Sequence, residues 1–111
     1  MSDRIIKVNE LLKEQVARII LEELELEPGT IISVISVSTS SDLRYAKVYV
    51  GVLPDEITPL TLKRLNNNTR SFQKRLSENI SLKFTPRLKF YLDETEKKAS
   101  KIDELLDNLK Y

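Results

Sequence analysis

Tyr45-Ala46-Lys47-Val48-Tyr49-Val50-Gly51-Val52 alternates strictly, with Ala46, Val48, Val50 and Val52 on one side and Tyr45, Lys47, Tyr49 and Gly51 on the other. A period of two sends successive side chains to opposite faces, so this is a strand with one face on a core and a wetter face outside. The run before it, Ile31 to Val37, is rich in β-branched residues and reads as a buried strand. Thr39-Ser40-Ser41-Asp42 supplies turn-forming residues between the two, which are therefore expected to pair as a hairpin.

Helical spacing flanks this pair. On the N-terminal side Ile5, Val8, Leu12, Val16 and Ile19 recur at steps of three and four, with Leu11 and Ile20 widening the apolar stripe. That helix is expected to stop at Glu27-Pro28-Gly29, where Pro28 disfavours helix before it and Gly29 permits a turn. On the C-terminal side Thr58-Pro59 predicts an N-cap and a first helical residue, and Leu62, Leu65, Thr69, Phe72 and Leu76 carry the stripe onward. Asn66-Asn67-Asn68 interrupts it. Asparagine competes for backbone hydrogen bonds and tolerates left-handed angles, so three in a row predict a bend. After Pro86, Leu88, Phe90 and Leu92 alternate with Lys89 and Tyr91 as a third strand, the proline marking its beginning or an edge. Ile102, Leu105, Leu106 and Leu109 predict a short C-terminal amphipathic helix.

Charge is segregated along this frame. The 111 residues carry a net charge of only +1. Between Thr61 and Phe90, however, eight basic residues (Lys63, Arg64, Arg70, Lys74, Arg75, Lys83, Arg87, Lys89) face one acid, Glu78, a local charge of +7. Six basic against ten acidic residues before it give −4, and four against six after it give −2. At 100° per residue Lys63, Asn67, Arg70 and Lys74 fall within about 60° of one another, roughly opposite the apolar stripe. Arg64 and Arg75 flank that face, Lys83, Arg87 and Lys89 follow it in the loop and strand, and Arg4 and Lys7 are placed to extend it. A solvated helix face usually mixes signs, as Glu10, Lys13, Glu14 and Arg18 do in the first helix. A run of cations repels itself, and a phosphate backbone offsets that repulsion.

The same composition excludes much chemistry. With no cysteine there is no thiolate nucleophile or disulfide, and with no histidine the usual general base and commonest metal ligand are missing. The two glycines, Gly29 and Gly51, make no phosphate-cradling motif. Asp55/Glu56 and Asp93 with Glu94 and Glu96 read as turn and helix-start residues rather than an acid/base pair. No run approaches the roughly 20 apolar residues of a membrane span, and no signal-peptide pattern opens the chain. We expect one cytoplasmic domain over 1–111, monomeric, with no cofactor, metal, membrane or small-molecule substrate. Tyr45, Tyr49 and Tyr91 share the outward sheet face, where tyrosine either stacks on bases or simply covers the sheet.

Ser41-Asp42-Leu43-Arg44-Tyr45-Ala46-Lys47-Val48-Tyr49-Val50, followed after a helix by Thr85-Pro86-Arg87-Leu88-Lys89-Phe90 and Asp93, resembles the bacterial ribosome-binding factor A family. Arg4, Lys7 and Val8 and the Ile102/Leu105/Leu106 group also sit where that family has similar residues, so the resemblance spans almost the whole chain. It implies an α+β, type II KH-like domain in the order helix, strand, strand, helix, bend, helix, strand. It also implies a non-catalytic assembly factor that binds the immature small ribosomal subunit and its ribosomal RNA and assists late maturation, including in the cold. The family's Ala-x-Gly interhelical bend is matched by Asn68-Thr69-Arg70, and an arginine just beyond it by Gln73. The expected RNA-binding residues are Lys63, Arg64, Arg70, Lys74, Arg75, Lys83, Arg87, Lys89, Arg4 and Lys7. The other reading of the same charges is a protein-interaction module that docks an acidic partner through the basic helix face or a sheet edge.

Overall fold

A computed structural model describes residues 3–82 and 85–94. Lys83 and the expected C-terminal helix lie outside the described residues. The alternating segment is the middle strand, β2 (Tyr45–Leu53), of a three-stranded sheet. It pairs antiparallel with β1 (Ile31–Thr39), as the hairpin reading requires, and parallel with β3 (Arg87–Leu92). Helices α1 (Asp3–Glu23), α2 (Thr58–Asn67) and α3 (Thr69–Asn79) pack on one face, α1 over β1 and against α3, with α2 and α3 over β3.

The core is what the two periods demanded. Ala46, Val48, Val50 and Val52 point into it from β2, and Leu88 and Phe90 from β3. Val8, Leu12, Val16, Ile19 and Ile20 meet them from α1, and Leu65, Phe72 and Leu76 from α2 and α3. Phe72 packs edge-on against Phe90 with ring centroids 5.7 Å apart, which joins α3 to the sheet. Leu11 faces solvent instead, because the stripe drifts around the helix and α1 needs only one side for the sheet.

Four local expectations are corrected. The run from Ile31 to Val37 is a half-exposed edge strand, not a buried one. Its register slips between Val34 and Ser36, leaving Ile35 as the extra residue of a β-bulge. Ile32 and Val34 therefore turn inward before the bulge and Val37 and Thr39 after it, so an alternation that changes phase looks like a continuous apolar run. Second, α1 ends at Glu23, and the Pro28-Gly29 turn closes only after four intervening residues, 24–27, outside helix and strand. Gly29 adopts φ +86°, a left-handed angle that glycine tolerates, and Thr30 N–H donates to Glu27 O at 3.0 Å. Third, Thr58 does not cap α2. A 3₁₀ turn over Asp55–Ile57 feeds straight into the helix, so Thr58 is already helical and buried.

The fourth concerns the bend, which falls at Asn68 as predicted but without left-handed angles. Asn68 sits at φ −105°, ψ 9° and donates its side-chain amide to Arg64 O at 2.7 Å. Its backbone N–H reaches Arg64 O and Leu65 O, and Phe72 N–H then starts α3 on Asn68 O. The turn joining β1 to β2 is held in the same way. Asp42 accepts from the Ser40 hydroxyl at 2.6 Å and from Arg44 N–H at 3.1 Å, while Leu43 is bent to φ 61°. The Ser40 hydroxyl, backed by the Arg44 N–H, holds the Asp42 carboxyl pKa below its ordinary value.

Candidate nucleic-acid interface

Folding divides the positive segment into three groups. Lys63 on α2 and Arg70 and Lys74 on α3 are exposed. Among the described residues none of the three makes an ion pair. Arg70 and Lys74 stand one turn apart on α3, while the break at Asn68 leaves Lys63 on α2, so the stripe of a single straight helix is divided between two helices. The Asn68 side chain turns back to Arg64 and leaves the start of α3 without a side-chain cap. Backbone N–H groups of an uncapped first turn and a guanidinium at its second residue are suited to hold an anion.

Arg75 turns toward the end of α1 instead, and Arg64 toward the segment that follows it. Arg75 donates to Glu22 Oε2 at 3.1 Å and lies 3.6 Å from Glu23 Oε1, and Arg64 donates to Glu25 O at 2.8 Å. The bonded Glu22 carboxylate, with Glu23 behind it, pushes the Arg75 pKa up and neutralises its charge locally. Arg87 and Lys89 form the third group on the outward face of β3, away from the helices. Arg4 and Lys7 are exposed on the first turns of α1. Arg87 and Lys89 therefore do not continue the helix face that they follow in sequence, since side chains on the pleat alternate between faces.

Sequence reasoning missed what fixes the bend in place. Asn66 donates its side-chain amide to Phe90 O at 3.1 Å and accepts from Phe90 N–H at 2.9 Å, and Gln73 Oε1 accepts from Leu88 N–H at 3.5 Å. The outer edge of β3 thus bonds to side chains of α2 and α3 as it would to another strand, and Thr69 Oγ1 closes the bend on Asn66 O at 3.2 Å. The polar pair Asn66 and Gln73, flanking the buried Leu65 and Phe72, was the available signal. Gln73 stands at the position where the resemblance set an arginine, and here it serves the strand edge.

The family model described as Ribosome-binding factor A matches residues 4–106. The chain belongs to that family. It is 36% identical over 109 residues to ribosome-binding factor A of Akkermansia muciniphila, covering 98% of this chain and 86% of that one. With its counterpart from Novosphingobium aromaticivorans it is 40% identical over 109 residues, covering 95% and 80%. The crystal structure of ribosome-binding factor A from Thermus thermophilus superposes with a TM-score of 0.67 at 24% identity, over 79% of this chain and 93% of that one. A homology model of the Thermus thermophilus factor fitted into the cryo-EM map of its 30S complex gives 0.63 at 25% identity, over 77% and 90%. The α+β arrangement is therefore the KH-like fold of ribosome-binding factor A, with the bend at Asn68 between its two consecutive helices. Among the described residues no helix is long and apolar enough to cross a membrane.

Proposed function

We propose that this protein is a non-catalytic assembly factor that binds the immature small ribosomal subunit through its ribosomal RNA and assists late maturation, including in the cold. The observation that carries the reading is membership of the ribosome-binding factor A family, one of whose members has been fitted into a 30S complex. Lys63, Arg70 and Lys74, exposed and without an ion pair among the described residues, stand on either side of the bend and supply the means. Each phosphate they neutralise releases counterions, so binding is driven by salt-sensitive contacts and needs no reacting group. The protein acts as a cytoplasmic monomer that positions an RNA junction while the rest of the subunit folds. Arg4, Lys7 and Lys83 extend the contact, whereas Arg75 chiefly ties α3 to the end of α1 and Arg64 ties α2 to Glu25 just beyond it.

Co-sedimentation with purified immature small subunits tests this. Binding should vanish after nuclease treatment and should weaken when Lys63, Arg70 and Lys74 are replaced together by Ala. Three lost phosphate contacts should lower the magnitude of the salt slope by roughly 2 to 3. Binding that survives nuclease digestion would assign the charges to an acidic protein partner instead.

A further inference from the structure

The outward face of the sheet carries a second set of groups that the bend does not use. In the parallel register Tyr45 stands beside Arg87, Lys47 beside Lys89 and Tyr49 beside Tyr91. The Tyr49 and Tyr91 rings lie 5.8 Å apart, tilted by 32°. Lys47 Nζ and Lys89 Nζ approach the Tyr91 ring to 5.8 and 5.4 Å, so two ammonium groups from the neighbouring row reach this one ring. Ser36 and Ser38 of β1 border the same rows, opposite Tyr49 and Lys47. No outward position within the three strands is acidic.

Two features point to the chemistry of a partner. Like charges directly opposite one another on neighbouring strands are destabilising, and Lys47 and Lys89 are such a pair with Arg87 next to them. An anion settled between them relieves that repulsion. Tyr49 and Tyr91 beside those cations are half-buried and so keep part of their surface exposed, and outward residues two apart along a strand stand about 7 Å from each other. Planar faces next to paired cations fit a chain of flat bases joined by phosphates better than an acidic peptide, which would use the cations and leave the rings idle.

We propose that this face is a second nucleic-acid surface, on which Tyr49 and Tyr91 stack against unpaired bases of single-stranded RNA while Lys47, Lys89 and Arg87 hold the flanking phosphates. It rests on the RNA-binding reading above and adds a surface on the opposite side of the sheet from the helices. Stacking of this kind accepts any base, because every base has a π face. The surface therefore selects unpaired over paired RNA without selecting sequence.

The test compares a fluorescently end-labelled adenine dodecamer RNA with an abasic ribose-phosphate chain of equal length, by anisotropy at one fixed salt concentration. The charges of the two probes are alike, so a difference reports stacking. Wild-type protein should bind the adenine chain roughly tenfold or more tightly. Tyr49→Leu with Tyr91→Leu should erase that preference, while Tyr49→Phe with Tyr91→Phe should keep it. Equal wild-type affinity for the two probes would overturn the proposal, whether or not the variants fold, as would a preference that the leucine pair leaves intact. Failure of the subunit reading is seen elsewhere. A protein that co-sediments in a nuclease-sensitive way yet shows no base preference refutes this surface alone, whereas a base preference without co-sedimentation refutes subunit binding alone.

Discussion

Replacing Asn66 by Ala removes both side-chain partners of the Phe90 peptide groups at the outer edge of β3. A hydrogen bond contributes about 0.5–1.5 kcal/mol net, and a donor or acceptor left unpaired away from water costs about 1–3 kcal/mol. The site is half-buried, so water reaches part of it and the two losses together should come to about 2–3 kcal/mol. For a domain of this size that corresponds to a fall in Tm of roughly 10–20 °C. Asn67→Ala is the control. It is the next residue on α2 but exposed, and a surface change of this kind should stay within about 0.5 kcal/mol. Denaturant titration of both variants measures the difference, and amide hydrogen exchange locates it, since Phe90 N–H should lose protection only in Asn66→Ala. Equal stabilities for the two variants, or a Phe90 amide as protected as in the wild type, would refute the role given to this side chain.

Val48 has no exposed surface at the centre of the sheet, so Val48→Asp should bury an unpaired charge and unfold the domain, seen as loss of the cooperative transition in circular dichroism. Arg75→Ala should leave the salt slope of RNA binding unchanged, because Glu22 and Glu23 already neutralise that guanidinium, whereas Lys74→Ala should flatten it by about one phosphate contact. Asp42 has a folded-state pKa below its unfolded one. Its contribution to stability is present above the unfolded pKa and is lost as the pH falls through the folded one. Asp42→Ala should accordingly be less stable than wild type at neutral pH, and denaturation midpoints should show the gap closing in strong acid.

Much of the fold was legible because its elements obey a period. The alternation of β2, the helical stripes and the proline before β3 each follow from one-dimensional spacing, and the structure places them in the expected order. The departures share a cause, in that they depend on what lies across the chain. A bulge at Ile35 is invisible until β1 is laid against β2, since only the partner's register shows which residue is extra. Helix α1 stops at Glu23 although Pro28 marks the nearest strong breaker, and the residues between have partners from across the chain, Leu24 in the core and Glu25 O on Arg64. Asn66 looked like one of three residues that loosen a helix. Its function as an edge partner for Phe90 appears only when β3 returns beside α2. The cations followed the same logic. Their signs and crowding were readable, but their division between bend, α1 contacts and outer sheet face depended on tertiary placement.

The bulge at Ile35 has a consequence for how copies of this protein meet. A short sheet has two rims, and an unbroken rim of backbone donors and acceptors is a template on which another chain can lay a strand. On the β1 rim the regular spacing breaks at Ile35, where the added twist carries the backbone away from a straight neighbour. On the β3 rim the Phe90 peptide is already taken by Asn66. Among the described residues neither rim offers a further strand a continuous ladder, so both edges of the three-stranded sheet are blunted against strand addition.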